Sequence, residues 1–274
     1  MPELPEVETV VRDLRPLLVG RTFTKIEVGK KALRRKWSRA WDAKLLGKCV
    51  QGIRRRGKWI VIDLLEPSLL VHLGMTGQFT VAAADKPREA HTHLVFTLDN
   101  ANELRFRDVR RFGSVTLFPT LVHVDQHFVE KRLGPEPFDL HAKSFHASLK
   151  RTKRNLKAIL LDQTIVAGVG NIYADESLFE ARLPPTKFGN EITPKQAELL
   201  RNAIVKVLTR AIDQRGSSIR DYIGGSGLKG RFQDEFRAYG RTGAPCVKCE
   251  TPIEKITLAG RSTHFCPRCQ GKRT

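Results

Sequence analysis

Four cysteines near the end of the chain constrain its fold more than any other feature. They form two Cys-x-x-Cys pairs separated by sixteen residues, Cys246, Cys249, Cys266 and Cys269. Each pair can place two thiolates on one tetrahedral ion, so the spacing predicts one structural zinc ion, with two disulfides or a redox pair as alternatives. We expect a β-hairpin between the pairs. A module of about 30 residues is too small to fold by burial alone, so zinc would supply most of its folding free energy.

The chain is strongly basic. Its 274 residues include 48 Lys and Arg against 29 Asp and Glu, a formal net charge of +19. This charge predicts a polyanionic partner, with a solvated surface kept for solubility as the alternative. No apolar run approaches the ~20 residues of a membrane span, and the acidic N-terminus does not resemble a signal peptide. We therefore expect a cytoplasmic protein with no membrane partner.

The spacing of apolar residues changes along the chain. Residues 3–18 have the three- and four-residue spacing of an amphipathic helix. Short strands between residues 22 and 118 favour an all-β sandwich or barrel, with a mixed sheet as the alternative, and helical patterns follow near 143–150, 154–162, 173–182 and 194–214. We predict an α+β protein with an N-terminal helix and β-sandwich domain at 1–130, a helical domain at 131–239 and a zinc module at 240–274.

Pro2 is an unusual candidate nucleophile. If Met1 is removed, Pro2 presents a secondary amine that titrates near ~7.7–8.0, so a neutral fraction can attack the anomeric carbon of a sugar. The adduct would open to an iminium ion, which acidifies the neighbouring carbon and permits elimination of phosphate. Glu3 could transfer protons to the ring oxygen, and Glu6 could orient the pair from the same helix face. An ordinary helix start is the alternative.

Several independent motifs occur in the order found in bacterial formamidopyrimidine-DNA glycosylases, and the full chain resembles that family. The motifs are MPELPEVETV at the N-terminus, RRGK at 55–58, HLGMTG at 72–77, RDVRRFG at 107–113, LGPEP at 133–137, LDQT at 161–164, GVGNIY at 168–173, YGR at 239–241 and the cysteine module. The resemblance implies an N-terminal helix with a β-sandwich, a helix–two-turn–helix domain and a C-terminal zinc β-hairpin.

The resemblance also implies a monomeric base excision repair enzyme that acts on damaged double-stranded DNA. It would excise oxidised purines such as 8-oxoguanine and formamidopyrimidines, then cleave the abasic site by β,δ-elimination. By similarity, Pro2 forms the Schiff base, Glu3 donates a proton and Glu6 supports the site. Lys58 resembles the residue that assists β-elimination, and Arg261 resembles the hairpin arginine that assists δ-elimination. A strand-edge charge at Lys58 and a solvated side chain at Arg261 are the alternatives.

Further residues resemble DNA contacts of the family. Met75, Arg110 and Phe112 are similar to a wedge that fills the space left by an everted base. Without the resemblance, Met75 and Phe112 would be expected in the core. Asn171 is also a plausible N-cap of a helix whose first turn could bind a phosphate. The other positions that resemble DNA contacts are His72, His91, Lys153 and Tyr239.

Three segments have less specific roles. Basic residues between 150 and 157 favour a phosphate-binding patch or a solvated helix face, and they are Lys150, Arg151, Lys153, Arg154 and Lys157. Six basic residues between 30 and 39 either contact DNA or are solvated. The glycine-rich stretch 224–230, which follows Ser217, Ser218 and Arg220, resembles a loop that closes over the everted base, with a disordered linker as the alternative.

Two other functions stay open from the sequence. An endonuclease VIII-like glycosylase shares the architecture but prefers oxidised pyrimidines, and Leu4 with the following Val-Glu-Thr favours the purine enzyme. A catalytically silent binder of damaged DNA is disfavoured by the presence of Pro2, Glu3 and Lys58.

Overall fold

The computed structural model describes residues 1–218 and 224–271. The chain begins with helix α1 (Leu4–Leu18), which buries an apolar stripe that includes Val7, Val10 and Leu14. Glu3 has extended backbone angles and is the N-cap, so the helix starts one residue later than predicted.

Eight strands form two four-stranded antiparallel sheets, with neighbours in the orders β1-β6-β7-β5 and β2-β3-β4-β8. They are β1 (Phe23–Val28), β2 (Gly52–Arg56), β3 (Trp59–Asp63), β4 (Ser68–His72), β5 (Gly77–Ala83), β6 (Thr92–Leu98), β7 (Asn102–Asp108) and β8 (Ser114–Phe118). Side chains of both sheets and of α1 share one apolar core, so the predicted sandwich is confirmed and the mixed sheet is excluded.

Two helices of this region were not predicted, α2 (Ala40–Leu45) and α3 (Leu121–Glu130). Helix α2 has only six residues, too few to establish a period. Helix α3 buries Val124 and Phe128 at helical spacing, but it also exposes Val122 and Val129. These additional apolar residues obscure the buried stripe of α3 in the sequence.

The predicted helices after residue 140 are present to within two residues at each end. They are α4 (Ala142–Lys150), α5 (Leu156–Leu161), α6 (Asn171–Glu180) and α7 (Pro194–Asp213), and strands β9 (Glu254–Leu258) and β10 (Arg261–Phe265) form the predicted hairpin. The expectation that Asn171 is an N-cap was wrong, because Gly170 caps α6 and Asn171 is its first helical residue. In the described part of the chain, no helix combines the length and apolar character of a membrane crossing.

The chain forms two compact units. The first contains Met1–Lys131 and Gln214–Arg231, and the second contains Arg132–Asp213 and Phe232–Thr274. The predicted boundary after residue 130 lies one residue from this division. The structure differs at 214–231, which we expected in the helical domain, because described parts of this segment hydrogen-bond to α1. A separate module at 240–274 stays a prediction.

Candidate active site and nucleic-acid interface

The start of α1 brings Pro2, Glu3 and Glu6 together. The Glu3 carboxylate accepts a hydrogen bond from the Glu6 backbone N–H, and Glu6 Oε2 accepts one from the Glu3 backbone N–H at 2.8 Å. This capping box satisfies two N–H groups of the first helical turn. All three residues are buried. A proline one residue from the N-terminus thus shares an enclosed site with two carboxyl groups.

The segment after α7 completes this site. The Ser217 backbone N–H donates to Glu6 Oε1 at 2.7 Å. Asp13 Oδ2 accepts hydrogen bonds from Arg215 Nη2 at 2.7 Å and from Ser226 Oγ at 2.9 Å. Gly216 has a φ of +73°, and a Cβ there would lie 2.8 Å from Glu6 Oε1. Glycine is therefore required where this segment approaches the Glu6 carboxylate.

The glycine-rich stretch predicted to be a mobile loop packs, in its described part, against α1. A Cβ on Gly225 would lie 2.7 Å from Leu14 Cγ and 2.9 Å from the carbonyl oxygen of Val10. The absence of a side chain at Gly225 permits this close approach, and the expected closing role of the stretch stays a prediction. Arg220, which we assigned to the same loop, lies outside the described residues.

Lys58 lies in the turn between β2 and β3. It follows Gly57, whose φ of +56° reverses the chain direction. Its exposed fraction is only 8%, so it is not the solvated strand-edge charge that we considered as an alternative. The surrounding residues, and not bulk solvent, therefore set the position of the Lys58 side chain.

His72 ends β4, where its ring packs edge-on against Trp59 with centroids 4.6 Å apart. Burial, followed by the charges of Lys58 and Arg34, lowers the pKa of His72 to about 4. The ring is therefore neutral near pH 7. Nδ1 accepts the Gly74 backbone N–H at 3.0 Å, so the single ring proton is on Nε2. The fold thus prepares an uncharged hydrogen-bond donor at this position.

The three predicted wedge residues are exposed, so the alternative that Met75 and Phe112 belong to the core is excluded. Met75 is 39% exposed and Phe112 is 44% exposed. The Arg110 guanidinium carbon lies 4.7 Å from the centroid of the Phe112 ring, a cation–π contact. Two large apolar side chains at the surface and a stacked arginine match the requirements of a wedge.

The buried Asp108 carboxylate organises the loop that carries this wedge. Asp108 Oδ1 accepts from Thr76 Oγ1 at 2.5 Å and from the Arg110 backbone N–H at 3.2 Å. Asp108 Oδ2 accepts the Gly113 backbone N–H at 2.7 Å. His91 is exposed with a φ of 67°, and its carbonyl accepts the Asp108 N–H at 3.0 Å. One carboxylate therefore fixes the backbone on both sides of the wedge.

The four cysteines of the C-terminal module meet in one cluster. All four are unpaired, and their Sγ atoms lie within 4.8 Å of one another. Tetrahedral zinc with Zn–S bonds of about 2.3 Å separates its sulfur ligands by roughly 3.8 Å. Burial and the neighbouring thiols raise the pKa of Cys269 to about 12, because adjacent thiolates would repel one another. A divalent cation relieves this repulsion, so the cluster fits structural zinc and the disulfide alternative is excluded.

Helix α6 and the hairpin carry two predicted phosphate contacts. Asn171 Nδ2 donates to the Ser262 carbonyl at 3.0 Å, while the buried Asn171 Oδ1 has no hydrogen-bond partner among residues 1–218 and 224–271. Arg261 is exposed at the start of β10, directly after the turn. Asn171 is therefore tied to the strand that begins with Arg261.

Lys157 was expected in the basic patch, but it is fully buried. Its Nζ donates to Asp175 Oδ1 at 2.5 Å and to the Asn171 carbonyl at 2.9 Å. Asp175 Oδ2 accepts from the His264 backbone N–H at 2.9 Å and from His264 Nδ1 at 3.0 Å. This buried network joins α5, α6 and β10. The other members of the expected patch are exposed, namely Lys150, Arg151, Lys153 and Arg154.

Tyr239 is fixed through its backbone and its ring. Glu176 Oε1 accepts the Tyr239 backbone N–H at 2.8 Å and the Ala238 N–H at 2.9 Å. Burial raises the pKa of Glu176, although these hydrogen bonds favour its ionised form. The Tyr239 ring packs edge-on against His264 at 5.2 Å between centroids.

Comparison with known proteins places this geometry in a family. The model of the formamidopyrimidine-DNA glycosylase N-terminal domain matches residues 1–115, that of the H2TH domain matches 133–222, and that of the zinc finger found in FPG and IleRS matches 243–271. The formamidopyrimidine-DNA glycosylase of Geobacillus kaustophilus is 42% identical over 277 positions, which cover 98% of this chain and 100% of that relative. The chain belongs to the formamidopyrimidine-DNA glycosylase family.

Solved structures of formamidopyrimidine-DNA glycosylases have the same fold. A Lactococcus lactis variant in complex with Fapy-dG containing DNA has a TM-score of 0.91 at 40% identity, and the match covers 99% of this chain and 100% of that one. The complex of Lactococcus lactis Fpg with abasic-site DNA also has a TM-score of 0.91 at 40% identity, over 98% and 100% of the two chains. The predicted fold class is therefore confirmed.

Sequence reasoning missed three acidic residues of this chain, Asp108, Asp175 and Glu176. Each lies in or beside a recognised motif. Their partners are backbone N–H groups or buried side chains that are distant in sequence. No local pattern signals such contacts, because the spacing of polar residues does not encode which of them are buried.

Proposed function

We propose that this chain removes 8-oxoguanine and formamidopyrimidines from duplex DNA and then cleaves the abasic site by β,δ-elimination. The observation that carries this proposal is the enclosed cluster of Pro2, Glu3 and Glu6 at the start of α1. Solved relatives in complex with DNA that contains Fapy-dG or an abasic site support the substrate class. The net charge of +19 also suits a polyanionic substrate.

Pro2 would be the nucleophile once Met1 is removed. Its secondary amine attacks C1′ of the damaged nucleotide, and the bond from C1′ to the base breaks as the base leaves with the bonding electron pair and a proton. Glu3 protonates the ring oxygen O4′ as the sugar opens to an iminium ion. Glu6 holds the Glu3 backbone through its 2.8 Å hydrogen bond, so it acts as a positioning residue.

The iminium ion would then drive strand cleavage. Loss of a C2′ proton sends electrons toward the cationic nitrogen and expels the 3′ phosphate, and a second elimination expels the 5′ phosphate. Hydrolysis of the iminium ion by water releases the sugar remnant and restores the Pro2 amine. Lys58, buried beside His72, would assist the first elimination and contact the phosphate, and Arg261 would assist the second.

The remaining residues would hold the DNA. Met75, Arg110 and Phe112 would fill the space of the everted nucleotide and so offset an eversion cost of a few kcal/mol. Their exposure and the stacking of Arg110 on Phe112 support this role. Further contacts to the sugar-phosphate backbone of the DNA would come from five residues, namely His72, His91, Lys153, Asn171 and Tyr239. Zinc, when bound by the four cysteines, supplies the structural cross-link of the hairpin.

We propose further that the enzyme is a monomer in the bacterial cytoplasm. Every residue assigned a role above belongs to one chain. Analytical ultracentrifugation of the protein with and without duplex DNA would test the oligomeric state.

Reductive trapping tests the proposed chemistry. Incubation with an 8-oxoguanine duplex and sodium borohydride should produce a covalent protein–DNA species, since borohydride reduces the iminium ion. An undamaged duplex is the control. Binding without any trapped species would instead support a silent binder of damaged DNA, and faster release of thymine glycol than of 8-oxoguanine would support an endonuclease VIII-like enzyme.

Replacement of the nucleophile gives a second test. Pro2→Ala should lose β,δ-cleavage by at least about a hundredfold, because a primary amine forms no permanently charged iminium ion, while DNA affinity changes little. Mass spectrometry of the wild-type protein should show a chain that lacks Met1. Normal cleavage by Pro2→Ala, or a retained Met1 in an active enzyme, would exclude Pro2 as the nucleophile.

A further inference from the structure

An open cavity of about 600 Å³ lies between the basic loop, residues 30–39, and the wedge. Its lining residues are Ala32, Leu33, Arg34, Arg110, Arg111 and Phe112. Three arginines thus line one cavity, and none of the described residues that line it is acidic. Within the ranges 1–218 and 224–271, none of the three forms an ion pair with an acidic side chain.

The fold holds these groups together. Leu33 and Trp37, which lie within the basic loop, are buried in the sandwich core. Trp37 Nε1 donates a hydrogen bond to Asp42 Oδ1 at 2.7 Å, so one oxygen of this nearby carboxylate is already bound to Trp37. Arg111 has a φ of 56°, and its Nη1 donates to the Ala32 carbonyl at 3.5 Å. The basic loop is therefore tied both to the core and to the wedge loop.

We propose that Arg34 and Arg111 bind a phosphate of the DNA backbone beside the wedge, and that the charge of Arg110 adds to the positive potential at this position. Guanidinium groups bind phosphate oxygens in a bidentate geometry, and an anion between them offsets their mutual repulsion. Leu33 and Phe112 add apolar surface on which a deoxyribose can pack. The charge of Arg34 also contributes to the lowered pKa of His72, so the cavity lies within electrostatic range of another proposed phosphate contact.

This inference rests on the proposed function, because it takes duplex DNA as the ligand. The test uses a duplex with a stable tetrahydrofuran abasic-site analogue and measures the dissociation constant by fluorescence anisotropy. Arg34→Gln should weaken binding about tenfold and reduce the slope of log affinity against log salt by about 0.9. Lys36→Gln is the matched control, since it removes one exposed charge from the same loop but does not line the cavity.

Neutral methylphosphonate linkages, placed one at a time along both strands, locate the phosphate. At one position beside the lesion, the substitution should weaken binding of the wild type and of Lys36→Gln, but it should have a smaller effect on Arg34→Gln, which retains only Arg111 and Arg110 at this phosphate. Equal slopes for the two variants, with equal sensitivity at every linkage, would overturn the inference. Borohydride trapping of all three proteins separates this outcome from a failure of the proposed chemistry, which would remove trapping from the wild type itself.

Discussion

His72 illustrates how surroundings set the chemistry of a single residue. Its ring is packed against Trp59 near Lys58, and both burial and positive charge disfavour protonation. Because the Gly74 N–H donates to Nδ1, the single ring proton lies on Nε2, which can donate it to a ligand. A neutral donor of this kind can bind a phosphate oxygen without requiring acidic conditions.

The lowered pKa of His72 predicts a specific dependence of stability on pH. Between about pH 6.5 and 4 the unfolded chain binds a proton at this position and the folded chain does not, so the free energy of unfolding falls as the pH falls. His72→Asn should remove this contribution, about 2 kcal/mol between pH 7 and 4.5. Urea unfolding of both proteins at the two pH values measures the difference. An identical pH dependence in the two proteins would contradict the assignment.

The buried network of Lys157, Asp175 and His264 acts at the scale of elements, because it connects α5, α6 and β10. Two other residues contact this network. The Asn171 carbonyl accepts a hydrogen bond from Lys157, and the Tyr239 ring packs against His264. The network thus supports residues that we propose as DNA contacts.

Asp175→Asn should lower the free energy of unfolding by about 3–5 kcal/mol, because it leaves the Lys157 ammonium buried without an ionic partner. Lys206→Gln removes an exposed ion pair with Glu180 and should cost less than about 1 kcal/mol. Urea unfolding measures both. The double variant Asp175→Asn with Lys157→Met should recover most of the loss, and failure to do so would show that the charge of Lys157 is not the cause.

Removal of zinc should affect the hairpin more than the sandwich. A chelator should release one zinc ion per chain and make all four cysteines reactive toward a thiol reagent, because the cluster then loses its cross-link. Hydrogen exchange should increase in β9 and β10 but stay unchanged in α1. Unchanged protection of the hairpin after metal release would show that burial alone stabilises it.

At the scale of the whole molecule, the excess of basic residues should dominate affinity for DNA. A protein that makes 6–10 phosphate contacts loses about 10³–10⁵ in affinity between 50 and 200 mM salt, because bound counterions are released. We expect this protein, with a net charge of +19, to fall in that range for damaged duplexes. Titrations at several salt concentrations test it, and a flat dependence would mean that most of the charge is solvated in the complex.

The sequence predicted those parts of the molecule that depend on local periodicity. Short strand-like runs separated by Gly, Asn, Asp or Pro identified all eight strands of the sandwich, and four cysteines at ligand spacing identified the metal cluster. It could not reveal that Lys157 is buried, since a lysine in a basic run has the same local pattern whether solvated or paired with Asp175. The role of Asp108 likewise depends on backbone groups that meet only in the folded chain.

The hydrogen bond from Ser217 to Glu6 spans 211 residues of the sequence. A ribosome exposes the N-terminal residues early in translation but must synthesise most of the polypeptide before the Ser217 N–H exists. Pro2, the proposed nucleophile, and its acidic neighbours therefore reach their final arrangement only late in synthesis. Assembly of the site is coupled in this way to near-completion of the newly made polypeptide.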